Sequence, residues 1–282
     1  MTEHTPRLNE AQLWTLDTHP IDDTDIPDSY ELLDTWNAFH ANADMVTLPQ
    51  MLGVCELPTE QPSAVISLDL CEVLRETGPS ITRMYTAETD TTSHDYGVYY
   101  GDGYLGSREQ VSRELMLPQL MGAQAVKAVP FAESIQALLQ RWRRAGVYVI
   151  ANTSTLPGCE QSTTEFLAQH YADSLRGILF PRNHDGEGVL TKAGILSQAK
   201  QTIYDYTGFS LNNTPTIAIE DARHHAEQYI ESAEDTLIYM PAYAWNEPLE
   251  HTKQVTRVAQ QFGTVDTFIA VDQLLKSRGI VE

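Results

Sequence analysis

The chain has 282 residues, 42% of them hydrophobic, which is enough for one large domain or one domain with an insert. Its 39 acidic residues against 18 basic ones give a net charge of −21, a field that repels polyanions and argues against binding a nucleic-acid polymer. No run approaches the roughly 18 apolar residues of a membrane-spanning helix, and Cys55, Cys71 and Cys159 form no CxxC pair, which argues against a membrane protein, a zinc knuckle and a disulfide scaffold.

The first ten residues, MTEHTPRLNE, lack a basic region followed by an apolar one, so a cytoplasmic protein with reduced thiols is expected. A solvated acidic surface, of the kind that high-GC and viral genomes encode, explains the charge more simply than adaptation to high salt. Residues 1 to 27 are rich in Asp, Thr, His and Pro without an apolar period, which predicts a flexible acidic tail. From Asp28 to Asp44 the side chains of Leu32, Leu33, Trp36 and Phe39 share one stripe behind an Asp28 or Ser29 cap, the pattern of a helix. Pro58 and Pro62 mark a linker. Residues 28 to 63 therefore read as an N-terminal helical extension and linker, and the main domain as starting near Ala64.

The run AVISLDLCEVL, Ala64 to Leu74, predicts a strand buried on both faces that ends on one acid, Asp69. The next fifty residues differ in texture. They are rich in Tyr (85, 96, 99, 100 and 104), Thr and Gly, with a helix expected from Arg108 to Leu117. A connection of this length reads as a small cap insert over residues 75–127. Gly101, Gly103 and Gly106 spell G-x-G-x-x-G, but no acid stands near Gln124 where a dinucleotide site would need one, so a cap turn is expected.

From Phe131 helices and strands alternate: helix Ala132 to Ala145 stopped by Gly146, strand Val147 to Asn152, helix Gln161 to Arg176 and strand Gly177 to Phe180. A Gly/Asp turn (HDGEG) precedes helix Ala193 to Tyr206, strand 215–220, helix Ala222 to Ser232 and strand Thr236 to Met240. That alternation predicts an α/β fold, a doubly wound parallel sheet over residues 64–74 and 128–282. Parallel neighbours would gather at one edge Asp69, the polar cluster Asn152, Thr153, Ser154 and Thr155, and the acid pair Glu220 and Asp221. Such a set suits one hard divalent cation, Mg²⁺ in particular, which needs a few carboxylates plus substrate phosphate. The same acids could cap a strand end or the N-terminus of helix 222–232, and both roles can coexist.

Several tempting residues read as structural. His224 and His225 are adjacent on a helix, point about 100° apart and cannot both chelate one ion, so surface histidines are expected. Lys200 reads as a solvated face and the RWRR cluster as basic residues complementing a helix end. No GxxxxGK[ST] or HExxH occurs, so kinase P-loops and zincins are unsupported.

The order Asp69, polar cluster, Lys192 opening a helix, then Glu220-Asp221 resembles the haloacid dehalogenase (HAD) superfamily over about residues 64 to 275. VPFAESIQALLQRWRRAGVYVIANTST resembles the stretch carrying its second motif, and IAIEDARHHAE its acidic fourth. Within the superfamily the chain is similar to the 5′(3′)-deoxyribonucleotidase branch, through Pro241, Tyr243 and Asn246 in LIYMPAYAWN and through Arg257-Val258 before the final helix. The resemblance implies Asp69 as the nucleophile that takes the phosphoryl group, Lys192 as a neutralising cation, and Asn152, Thr153 and Lys192 as substrate-binding residues. It implies Mg²⁺ held by Asp69, the Cys71 carbonyl, Glu220 and Asp221. Aligning Asn152 with the family's Asn puts Ala151 where a phosphate-binding Ser or Thr belongs; a slip of two offers Thr153, which is preferred. Cys71 stands where the superfamily's phosphatases carry a second Asp as general acid and base, and its thiol, with an ordinary pKa of about 8.5, is a poor substitute near neutral pH. The function implied is a Mg²⁺-dependent hydrolase of a small phosphomonoester, with a degenerate phospholigand-binding or partner-binding protein as the alternative.

Overall fold

Residues 64–68 form the central strand of a sheet, with five consecutive buried side chains and a parallel neighbour on each side. The structure is a computed structural model and describes residues 45–47, 53–77, 126–154, 160–180, 191–232, 235–243, 246 and 253–282. The expected tail, the helix from Asp28, the body of the insert with its tyrosines and glycine run, and the HDGEG turn lie outside the described residues.

In chain order the strands are β1 (Met45–Thr47), β2 (Gly53–Glu56), β3 (Ala64–Leu68), β4 (Arg75–Glu76), β5 (Lys127–Ala128), β6 (Val147–Asn152), β7 (Gly177–Leu179), β8 (Thr216–Ile219), β9 (Thr236–Pro241) and β10 (Val255–Val258). The helices are α1 (Ala132–Arg144), α2 (Glu160–Tyr171), α3 (Lys192–Thr207), α4 (Arg223–Ser232) and α5 (Val265–Ser277). Among the described residues, eight strands make one sheet in the order β1-β2-β7-β6-β3-β8-β9-β10, and β4 pairs with β5 as a separate ribbon joining the two ends of the expected insert. Every pair from β7 to β10 is parallel.

The helices cover both faces. Ile135, Leu139 and Trp142 of α1, Phe166 and Leu167 of α2, and Phe268 and Val271 of α5 bury one face of β3, β6 and β8. Ile195, Leu196 and Ala199 of α3 and Ala226 and Tyr229 of α4 bury the other. Chain direction across the sheet reverses at β3: β6 and β7 lie on one side of it, β8 and β9 on the other. That reversal opens a crevice beyond the carboxyl end of β3, where open α/β sheets place ligands.

Three local differences from the sequence reading have physical causes. The segment expected to be an extension before Ala64 contributes β1 and β2 to the sheet edge, both antiparallel to their neighbours in the pairs β1-β2 and β2-β7. These strands are three and four residues long, too short to show a period. Gly177 admits β2, because a Cβ there would meet the Val54 carbonyl oxygen at 2.4 Å. The edge is then fastened by Glu56, whose carboxylate accepts from Arg143 at 2.7 Å and Arg176 at 2.5 Å. Second, α2 ends at Tyr171 and tightens into a 3₁₀ turn over Ala172–Ser174 instead of continuing to Arg176. Third, Lys200 is not solvated: it is mostly buried, its Nζ donates to Thr216 Oγ1 at 2.6 Å, and burial pulls its pKa down to about 8.

Candidate active site

Asp69 is the first residue past β3. Its backbone N–H still bonds to Ile219 O of β8, so the carboxylate is held at the strand's exit and is only 3% exposed. Its Oδ1 accepts from the N–H of Leu70 at 2.8 Å. The chain then winds tightly: Leu70 O receives the N–H groups of Val73, Leu74 and Arg75, and Glu72 takes a left-handed φ of 54°. A non-glycine residue there costs on the order of 1–3 kcal/mol, strain the surrounding contacts must offset. Cys71 sits on this turn. Its Sγ accepts from Arg75 at 3.5 Å, and Arg75, itself fully buried, also donates to Thr163 Oγ1. Burial raises the Cys71 pKa above its ordinary value, Arg75 opposing and Asp69 reinforcing, so the group is a protonated thiol at neutral pH.

Lys192 comes from the start of α3, a position the helix dipole makes unfavourable for a cation. Thr191 caps that helix, accepting from Gly194 N. The Lys192 backbone is fastened twice, by its N–H to Gln228 Oε1 and by its carbonyl to Asn152 Nδ2. The side chain is completely buried, with Nζ 2.8 Å from Asp69 Oδ1 and 2.8 Å from Glu220 Oε2. Burial alone would lower its pKa, but the two carboxylates raise it, and the ammonium stays charged.

Glu220 and Asp221 follow β8, both buried. Burial pushes Glu220 up to about 8 against the pull of Lys192, and leaves Oε1 without a hydrogen-bond partner. Asp221 is raised well above the usual carboxylate range by burial and by neighbouring Asp69. Among the described residues, the Lys192 ammonium contacts two of the three buried carboxyls, Asp69 and Glu220, with Asp221 beside Asp69. Asp221 is held from behind: Asn246 Nδ2 donates to the Asp221 carbonyl at 2.9 Å and to Pro241 O at 2.8 Å, while Arg257 donates to Asn246 Oδ1. Tyr243 OH reaches back to the carbonyl of Glu72 at 3.1 Å. The Pro241, Tyr243, Asn246 and Arg257 set therefore braces the acidic edge.

Asn152, expected to bind substrate, has its Nδ2 directed into the protein. Its amide is fully buried and bonds to Ser67, Tyr229 and the Lys192 carbonyl, so it is a strut under Lys192. Ala151 lies in the apolar cluster on the opposite face. Thr153 is buried just past β6, its N–H on Leu179 O, which leaves it as the hydroxyl at the strand's end. Ser67 and Tyr229, which share a 2.8 Å hydrogen bond, were missed by sequence reasoning. Period-2 alternation from Asp69 back to Ser67 was the available signal.

His225 also departs from expectation. It is half-buried, with Nδ1 3.5 Å from Glu220 Oε2 and Nε2 3.2 Å from Ser154 Oγ, while His224 stays exposed. Burial, then Lys192 and His224, hold the His225 pKa well below its ordinary value, so its imidazole is neutral. Ligand atoms of Asp69, Glu220 and His225 all lie within 4.8 Å of one another.

The raised Glu220 pKa has a signed consequence. Folded Glu220 keeps its proton up to about pH 8 whereas the unfolded side chain, at its ordinary 4.5, has lost it, so this group's contribution to stability falls as pH rises between those values. Metal-free protein melted across that range should therefore lose Tm more steeply than Glu220→Gln. Parallel slopes would contradict the assignment.

No protein-family model matches the chain, and no curated protein matches it. Among solved structures it is similar to a haloacid dehalogenase-like family hydrolase from Streptococcus pneumoniae, with a TM-score of 0.51 at 14% identity over 75% of this chain and 98% of that one. A HAD family hydrolase from Deinococcus radiodurans R1, solved with bound phosphate and sodium, gives a TM-score of 0.48 at 13% identity, over 79% of this chain and 99% of that one. The first of these likenesses defines the fold class: the sheet and its helices are a HAD-type, Rossmann-like core. No described helix is long and apolar enough to cross a membrane.

Proposed function

We propose that the protein is a Mg²⁺-dependent phosphohydrolase acting on a small phosphomonoester through an aspartyl-phosphate on Asp69. The observation that carries this reading is the buried cluster itself, in which the Lys192 ammonium contacts Asp69 and Glu220 and Asp221 adjoins Asp69, at the crevice where the sheet reverses. Two anions, a carboxylate and a phosphate, react only where cations neutralise both. Asp221 beside Asp69, together with the unpartnered Glu220 Oε1, fits a hard cation, with the Cys71 carbonyl as a further oxygen. Mg²⁺ there would supply charge neutralisation of the phosphoryl oxygens and orient them toward Asp69.

The chain's own residues then divide the work. An Asp69 carboxylate oxygen forms the new bond to phosphorus as the ester P–O bond breaks and the leaving oxygen takes a proton. Lys192, fixed by Asn152 and Gln228, positions the Asp69 carboxylate through its 2.8 Å contact and offers charge to the transferring group. Thr153 at the strand exit is the candidate phosphate-binding hydroxyl. In the second half, water attacks the phosphoryl group, the Asp69–phosphorus bond breaks, and inorganic phosphate leaves with Asp69 restored.

Cys71 supports the rival reading of a degenerate protein that binds a phosphorylated ligand or a partner without turnover. Its protonated, Arg75-bound thiol is a poor proton shuttle. Cys71→Asp separates the two. A slow enzyme shows turnover as wild type and gains about a hundredfold in the variant, the lower end of what general acid/base help supplies. The test measures phosphate release from a panel of phosphomonoesters with and without Mg²⁺. A deoxynucleoside monophosphate comes first, because Pro241, Tyr243 and Asn246 resemble the deoxyribonucleotidase element. Release that requires Mg²⁺ supports the enzyme; no release above background, with Mg²⁺ and phosphate still bound, favours the binder.

A further inference from the structure

We infer that Asp69, Glu220 and His225 form an alternative cation site, overlapping the proposed Mg²⁺ site at Asp69 and Glu220, which takes a late first-row divalent ion such as Zn²⁺ and silences Asp69 while the ion is bound. The three ligand atoms come from different elements, the end of β3, the end of β8 and the first turn of α4, yet lie within 4.8 Å of one another. Two of the groups are poised for a metal. Among the described residues, buried Glu220 Oε1 has no hydrogen-bond partner, and His225 Nδ1, likewise without one, sits 3.5 Å from Glu220 Oε2.

The donor set chooses the ion. Mg²⁺ prefers oxygen ligands only, whereas one imidazole with carboxylates suits Zn²⁺ and its neighbours in the first row. The contact to Ser154 is compatible with the required tautomer: with its proton on Nε2, His225 donates to Ser154 Oγ at 3.2 Å and leaves the Nδ1 lone pair on the side of Glu220.

Lys192 decides the consequence. Its ammonium already stands 2.8 Å from both Asp69 Oδ1 and Glu220 Oε2, so a divalent ion bound by either oxygen of those carboxylates meets a like charge at close range and disfavours the ammonium there. The nucleophile then loses its positioning cation and has a ligand bond to break before it can attack phosphorus. Zn²⁺ and the lysine therefore compete, and the ion acts as an inhibitor. The silencing rests on Asp69 being the nucleophile; the binding does not.

The test uses the full chain without substrate, titrated with Zn²⁺ by calorimetry and with Co²⁺ by visible absorption. One strong site per chain is expected, weakened at least about tenfold in His225→Gln, since even outer-shell partners of a metal carry that much affinity. Lys192→Met, which removes the competing ammonium, should bind Zn²⁺ more tightly, and Mg²⁺ affinity should be the same in wild type and His225→Gln. Zn²⁺ affinity and a Co²⁺ spectrum unchanged in His225→Gln would overturn the site. Both readouts work on a protein with no turnover, so failure of the phosphatase reading would show separately, as absent phosphate release. If release is present, Zn²⁺ inhibition that persists undiminished in His225→Gln would also overturn the proposal.

Discussion

Asp69→Asn is expected to bring Mg²⁺-dependent phosphate release down to background, with the fold intact. Removing a catalytic nucleophile costs roughly a millionfold where it has been measured, because nothing else in the site can form the covalent intermediate. The replacement keeps the shape at the end of β3, and an Asn oxygen can still accept from Leu70 N and Lys192 Nζ, the two groups that hold Asp69 Oδ1. It also relieves the crowding of negative charge that raises Asp221. Melting temperature should therefore hold or rise while turnover vanishes. Equal turnover in the variant would remove Asp69 from the chemistry. Lost turnover with lost folding would be uninformative, which is why the Tm is measured on the same preparation.

Lys192→Met should carry the largest stability cost. The ammonium is fully buried between two carboxylates, and removing one partner of a buried ion pair typically costs about 3–5 kcal/mol, because the opposite charge is left uncompensated. Here the carboxyls can take up protons instead, so the loss should be smaller at acidic pH and grow as pH rises past about 8, where Glu220 is ionised in wild type but stays protonated in the variant once the lysine's pull is gone. Adding Glu220→Gln to Lys192→Met should recover part of the stability, since Gln is buried without having to take up a proton. Denaturant unfolding of the two single variants and the double variant measures the coupling. A single-variant loss below about 1 kcal/mol would mean the pair behaves like an exposed one.

The parts of this architecture that were legible in the sequence are those whose burial is uniform. β3, β6 and β8 are buried on both faces and so appear as continuous apolar runs, and Asp69, Glu220 and Asp221 mark their ends. Gly146, with a φ of 79°, stops α1 where the glycine predicts. Lys192 was readable as a cation opening a helix, against the dipole's preference. What escaped depends on which way a side chain faces after folding. Asn152 is matched to substrate only by its resemblance to a family position, and its register directs Nδ2 to the Lys192 carbonyl at the start of α3, a contact the sequence does not announce. His225 looked like a surface residue because only the packing of α4 against β8 turns it toward Glu220. β1 and β2 escaped because a three- or four-residue strand carries too few positions to show alternation, and its pairing rests on Gly177, distant in sequence.

The central claim is that Asp69 carries the phosphoryl group during turnover. The direct measurement is to quench the protein in acid while it is hydrolysing p-nitrophenyl phosphate with Mg²⁺, reduce with borohydride, and determine peptide masses across residues 64–77. An acyl phosphate on Asp69 is reduced to the corresponding alcohol, homoserine, so the account predicts that mass change at position 69 in wild type, and none without Mg²⁺ or in Asp69→Asn. Turnover that proceeds with Asp69 unmodified in every quenched sample would contradict it.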